Sequence, residues 1–136
     1  MQNHNFKQYK IITLGDNGIG KTQLLSSYYT NKPNKIVFPL PGTPCLIKND
    51  YINNEIIKIQ LFDTFGEERY KNYINEQYYR NANGIFLCYD ITNYKSFENI
   101  NKWYNEYKKY IPDAEIILIG TKSDRQNIRQ VSYNNA

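Results

Sequence analysis

The sequence predicts an α/β fold: a doubly wound, mostly parallel sheet with one antiparallel edge strand. Three observations predict it. Short apolar, β-branched runs alternate with segments of helical spacing, the pattern of a sheet covered on both faces. Two of these runs are joined by Asn53-Asn54, a good hairpin turn. A glycine-rich stretch stands between the first run and the first helical segment, at the sheet end where such folds bind ligands. A length of 136 residues suits a single domain, 1–136.

The elements follow in order. Tyr9 to Leu14 (YKIITL) reads as a buried strand. Gly20 to Tyr29 reads as a helix with Leu24, Leu25 and Tyr28 on one face. Asn31 to Pro44 holds Pro33, Pro39, Pro41 and Pro44 and reads as a loop, because proline lacks the donor that regular elements need. Cys45 to Ile52 and Ile56 to Phe62 are the hairpin strands. Glu67 to Arg80 is a polar, Tyr-rich helix or loop-helix. Gly84 to Asp90 (GIFLCYD) is a buried strand. Ser96 to Tyr110 is a helix with Phe97, Ile100, Trp103, Tyr104 and Tyr107 at helical spacing, a core stripe. Glu115 to Ile119 is a further apolar strand, and Gly120 to Ala136 is polar.

Composition narrows the function. The net charge of +4 is that of an ordinary solvated surface and does not point to nucleic acid. Cys45 and Cys88 match no metal or redox spacing and read as reduced, partly buried thiols of a cytoplasmic protein. Residues 1–10 carry no apolar signal core, and no run approaches the ~18 apolar residues of a membrane span. These 136 residues contain no lipid-anchor motif, neither a C-terminal cysteine box nor a myristoylation start.

Three motifs carry the chemistry. Gly15-Asp16-Asn17-Gly18-Ile19-Gly20-Lys21-Thr22 fits G-x-x-x-x-G-K-[ST], with Gln23 directly behind it. Its glycines let successive backbone N–H groups turn toward phosphate oxygens, and the following helix adds the partial positive charge of its N-terminus. In that pattern Lys21 neutralises the β- and γ-phosphates and Thr22 ligates Mg²⁺. The second motif is Asp63-Thr64-Phe65-Gly66. Asp63 at a strand end can hold Mg²⁺ through a water, and Gly66 allows a backbone N–H to approach the γ-phosphate. The third is Thr121-Lys122-Ser123-Asp124. The Asp124 carboxylate can accept two hydrogen bonds from guanine that adenine cannot offer. The second and third motifs are weak alone. Their positions after strands, in a chain that already has the first, give them weight.

In this order the motifs resemble the phosphate, switch II and base-recognition motifs of the small Ras-like GTPases. Leu61-Phe62-Asp63-Thr64, Gln77-Tyr78-Tyr79-Arg80, Gly84 through Ser96-Phe97 and Ile119 through Asp124 resemble the Rab branch in particular. The resemblance runs from about Tyr9 to Ser132. It implies the P-loop NTPase G-domain fold, GTP and GDP bound with Mg²⁺, slow hydrolysis, and a place on the cytoplasmic side of intracellular membranes. It also implies effector, exchange-factor and GTPase-activating partners that read the two switches.

The chain departs from the family pattern at several positions. The switch I threonine, a Mg²⁺ ligand in the family, falls on Leu40, with Thr43 three residues on. The aromatic that stacks on guanine falls on Pro33. Glu67 takes the place of the water-orienting catalytic glutamine, and Phe65 that of the Rab alanine. Thr121 replaces asparagine, as in some Rho-type GTPases. The family's further helix, its final strand with a serine-alanine-lysine base contact, and its final helix are not found in this sequence, so an uncovered sheet face and strand edge are expected. Four readings stay open: a slow GTPase using Lys21 and Glu67, a nucleotide-binding module that hydrolyses poorly, a remnant that binds nothing well, and an ATP-binding P-loop protein.

Overall fold

The apolar runs become strands β1 (Lys7–Leu14), β2 (Cys45–Ile52), β3 (Glu55–Phe62), β4 (Gly84–Asp90) and β5 (Glu115–Thr121). Helices α1 (Lys21–Thr30), α2 (Glu76–Tyr79), α3 (Tyr94–Glu98) and α4 (Ile100–Lys108) connect them, and a 3-10 helix spans Ser123–Ile128. The computed structural model describes residues 6–33, 45–64 and 76–136. Its sheet has the order β2-β3-β1-β4-β5. β1 pairs in parallel with β3 and β4, β4 in parallel with β5, and β2 antiparallel with β3. This is the expected mostly parallel sheet with one antiparallel edge strand.

The period of two along each strand sends alternate residues to opposite faces. Ile12, Leu14, Ile85 and Leu87 join Tyr79, Trp103 and Tyr107 in one core cluster, on the face covered by α2 and α4. Ile57, Ile59 and Leu61 join Leu46 and Leu25 in another, under α1. Beyond α1 this second face stays open among the described residues. Tyr9, Ile11, Ile57, Ile59, Phe86 and Ile117 line an exposed hollow of about 640 Å³ there.

Several expectations are corrected. Tyr28 does not share the inward face of α1. The buried residues of that helix are Lys21, Leu25 and Ser26, while Tyr28 is exposed, reaches Asp50 through its hydroxyl (3.2 Å) and lies under the Lys48 ammonium (4.1 Å to the ring). The helix expected over Ser96 to Tyr110 is two segments that meet at Asn99, and Tyr104 of its stripe is exposed. The stretch Gly120 to Ala136, read only as polar, also contributes to the core. Val131 is fully buried against Tyr89 and Ile91, and the backbone N–H groups of Gln130 and Val131 both donate to the Ile91 carbonyl (2.8 and 3.1 Å). Of the expected Glu67 to Arg80 loop-helix, only the α2 portion falls within the described residues.

Candidate nucleotide site

The parallel strands deliver their C-terminal ends to one rim of the sheet. The chain leaves β1 toward β3 and leaves β4 toward β5, so the connections diverge between β1 and β4. That divergence opens a crevice suited to a ligand. The first loop on this rim is the glycine-rich one. Gly15 has φ +146°, and a Cβ on it would stand 2.3 Å from the Cys88 carbonyl oxygen of β4 and 2.6 Å from Ile19 Cδ1. Only glycine lets the loop fold this closely over β4. Gly20, at φ +98°, starts α1 in the left-handed region without a side-chain cap, and no acidic residue occupies the first turn. The start of α1 therefore presents its partial positive charge without an acidic side chain beside it, a setting suited to an anion.

Lys21 is 5% exposed, unusual for a lysine, and donates to the carbonyls of Gly15 (2.9 Å) and Asp16 (2.7 Å). The loop closes over the ammonium and fixes it inside the crevice. The Thr22 hydroxyl donates to the Asp63 carboxylate, joining the start of α1 to the end of β3. Two hard oxygen donors thus converge beside the loop. Among the described residues no cluster of three His, Cys, Asp or Glu side chains can hold a metal. A pair of protein oxygens fits Mg²⁺, which takes one or two protein ligands and completes its shell with phosphate and water.

The other side of the crevice is built on β4 and β5. The Thr121 hydroxyl lies within hydrogen-bond reach of the Ile19 carbonyl (2.5 Å) and the Tyr89 carbonyl (3.0 Å), so β5 is tied directly to the phosphate loop. Lys122 sits at φ +59° and pairs with Asp90 at 2.6 Å. Burial pushes the Asp90 carboxyl up, but the Lys122 ammonium and the two donors of Thr92 outweigh it and hold the group below its ordinary value. A Cβ on Gly120 would stand 2.9 Å from both Ile91 and Tyr89, so a side chain there would displace one of them. Asp124 lies exposed in the first turn of the 3-10 helix.

The structure therefore brings Asp16, Asn17, Gly18, Ile19, Gly20, Lys21, Thr22, Asp63, Thr121 and Lys122 to one rim, with Asp124 three residues beyond β5. Gln23 follows on α1, and its buried amide nitrogen has no hydrogen-bond partner among the described residues. Pro33, where a base-stacking aromatic was expected, is exposed just beyond α1. Leu40, Thr43, Phe65, Gly66 and Glu67 lie outside the described residues. Sequence reasoning missed Asp90 and Thr92, whose signal was an acidic residue at a strand end. It also took Trp103 for core alone.

The Ras family model matches residues 10–136. The chain belongs to the Ras family. It is 38% identical to the Ras-related protein Rab-15 of Homo sapiens over 124 residues, which is 90% of this chain and 58% of that protein. It is 39% identical to Rab-8A of Gallus gallus over 125 residues (91% and 60%). It is 40% identical to Rab-11B of Dictyostelium discoideum over 124 residues (90% and 56%). The resemblance to the Rab branch is thus met in the relatives. This Ras-family chain spans somewhat more than half the length of the curated relatives it matches.

Proposed function

We propose that the chain binds GTP and GDP with Mg²⁺ as a Rab-like molecular switch in membrane traffic and hydrolyses GTP slowly. The observation that carries this reading is the convergence of buried Lys21 and the Thr22–Asp63 pair on one rim with Thr121, which ties the base motif to the phosphate loop. Lys21 neutralises the β- and γ-phosphates. Thr22 and Asp63 hold Mg²⁺, which screens phosphate charge when bound. Asp124 selects guanine, with Thr121 and Lys122 shaping its pocket, and the Gly66 N–H meets the γ-phosphate.

In hydrolysis, water attacks the γ-phosphorus, the bond to the β–γ bridging oxygen breaks, and GDP and phosphate leave. Glu67 orients that water poorly, because its charge opposes the anionic γ-phosphate, so turnover is slow. Effectors, exchange factors and GTPase-activating proteins read the two switches. No described helix is long and apolar enough to cross a membrane, and the reading places the protein in the cytoplasm, peripheral to membranes. Leucine at position 40 and glutamate at 67 favour a second reading, a module that binds guanine nucleotide without hydrolysing it.

The test is to purify the protein with Mg²⁺, denature it and identify the released nucleotide, then measure single-turnover phosphate release. Near-stoichiometric GDP or GTP with measurable release supports the switch. Bound nucleotide without release supports the second reading, and an empty protein removes both.

A further inference from the structure

The phosphate loop carries a carboxylate. Asp16 stands five residues before Lys21, inside the segment that must gather polyphosphate, and a carboxylate turned toward phosphate would repel it. The structure engages both of its oxygens. Asn99 Nδ2 donates to Oδ2 (2.7 Å) and Trp103 Nε1 donates to Oδ1 (2.9 Å). Both donors come from the α3–α4 corner, more than eighty residues away in sequence. The Asp16 backbone carbonyl meanwhile accepts from Lys21 Nζ (2.7 Å).

The corner is built for this task. The Asn99 backbone ends α3 and starts α4, its N–H donating to Lys95 and its carbonyl accepting from Lys102 and Trp103. Its side chain makes no helix cap and so is committed to Asp16. Trp103 is 7% exposed, and an indole N–H buried this deeply needs an acceptor, which the carboxylate supplies. The donors are neutral. They fix the direction of the charge without cancelling it.

We infer that Asp16 is a positioning residue: Asn99 and Trp103 hold its carboxylate against the α3–α4 corner, which keeps the loop open to polyphosphate and fixes the carbonyl that anchors Lys21. This rests on the nucleotide reading above. Releasing the clamp frees a negative charge beside the phosphates, so the loss of affinity grows with the number of phosphates.

Trp103 is the sole tryptophan, so its indole N–H gives one resolved NMR signal. In the full chain that proton is expected to exchange slowly, and Asp16→Asn is expected to shift it and speed its exchange. Fast exchange in the unaltered protein overturns the clamp whatever binds. Calorimetry then compares a non-hydrolysable GTP analogue, GDP and GMP on Asn99→Ala and Trp103→Phe. Each variant is expected to lose about tenfold for the triphosphate, less for GDP and least for GMP. Asp16→Asn placed in either background restores part of the triphosphate affinity, because the freed group is then neutral. Equal losses for all three nucleotides, or no recovery with Asp16→Asn, would mean that Trp103 and Asn99 only pack, and the inference falls. Should Trp103→Phe fail to fold, Asn99→Ala, which removes only an amide, decides. If the unaltered protein binds no nucleotide while its indole N–H stays protected, the nucleotide reading fails and takes the phosphate role of the clamp with it.

Discussion

Asp90 shows how a buried charge is held at the end of a strand. Its carboxylate is 5% exposed and balanced by the Lys122 ammonium and by the N–H and O–H of Thr92. Asp90→Asn keeps the shape and removes the charge, leaving Lys122 without its counter-ion. Lys122 is 29% exposed, so water recovers part of the loss, and the expected cost is ~1–3 kcal/mol, read from urea unfolding at neutral pH. The folded carboxyl lies below its ordinary value, so its contribution is present above the unfolded pKa of about 4 and is lost as pH falls through the lower, folded value. The stability gap between the two proteins should stay constant from pH 7 to about 5 and close below pH 4. A gap that closed near neutrality would remove the ion pair as its cause. Cys45 and Cys88 are both buried and form no disulfide, and burial pushes both thiols up, Cys88 to about 12.

At the scale of elements, the hairpin was legible in two residues. Asn53 and Asn54 have φ +51° and +63°, the left-handed pair that a two-residue turn demands and that asparagine tolerates. Asn54→Val should cost ~1–2 kcal/mol, because a β-branched side chain resists that conformation, whereas Asn54→Gly should cost nothing. Equal stabilities by urea unfolding would show that strand pairing, not the turn, sets the register. The strands were equally legible: β2 and β4 keep the expected bounds, while β1 begins at Lys7 rather than Tyr9, β3 at Glu55 rather than Ile56, and β5 runs on to Thr121 past Ile119, because backbone pairing continues into polar residues at the ends of the apolar runs. The interruption of the long helix at Asn99 was not. Nothing in local propensity forbids a helix through asparagine, and the corner at Asn99 is also where the chain makes its side-chain bond to Asp16.

For the whole molecule, the two ends of the α1 face of the sheet differ in cover. Leu25 of α1 is 2% exposed within its cluster, whereas Ile117 of β5 is 56% exposed on the open part of that face. Leu25→Ala should therefore cost ~2–5 kcal/mol and Ile117→Ala less than about 1 kcal/mol in urea unfolding. A large cost for Ile117→Ala would show that something covers that face in solution. Apolar residues fall on both faces of β1, β3, β4 and β5. The pattern tells which side chains face a layer but is silent on whether a layer lies there.

The sequence by itself determined the strands, the hairpin, the phosphate loop and the order of the three motifs, because each depends on local spacing: periods of two and 3.6, glycines at fixed offsets, and a lysine one residue after a glycine. It also carried the family membership. Only the tertiary structure decided which of those residues meet. Thr22 and Asp63 lie 41 residues apart, Thr121 and Ile19 lie 102 apart, and Asp16 and Trp103 lie 87 apart. Those pairings are set by strand order and by where α4 packs, which no local pattern encodes. Val131 made the same point from the other side: in a polar stretch its burial depends on the pocket that Tyr89 and Ile91 form at the end of β4.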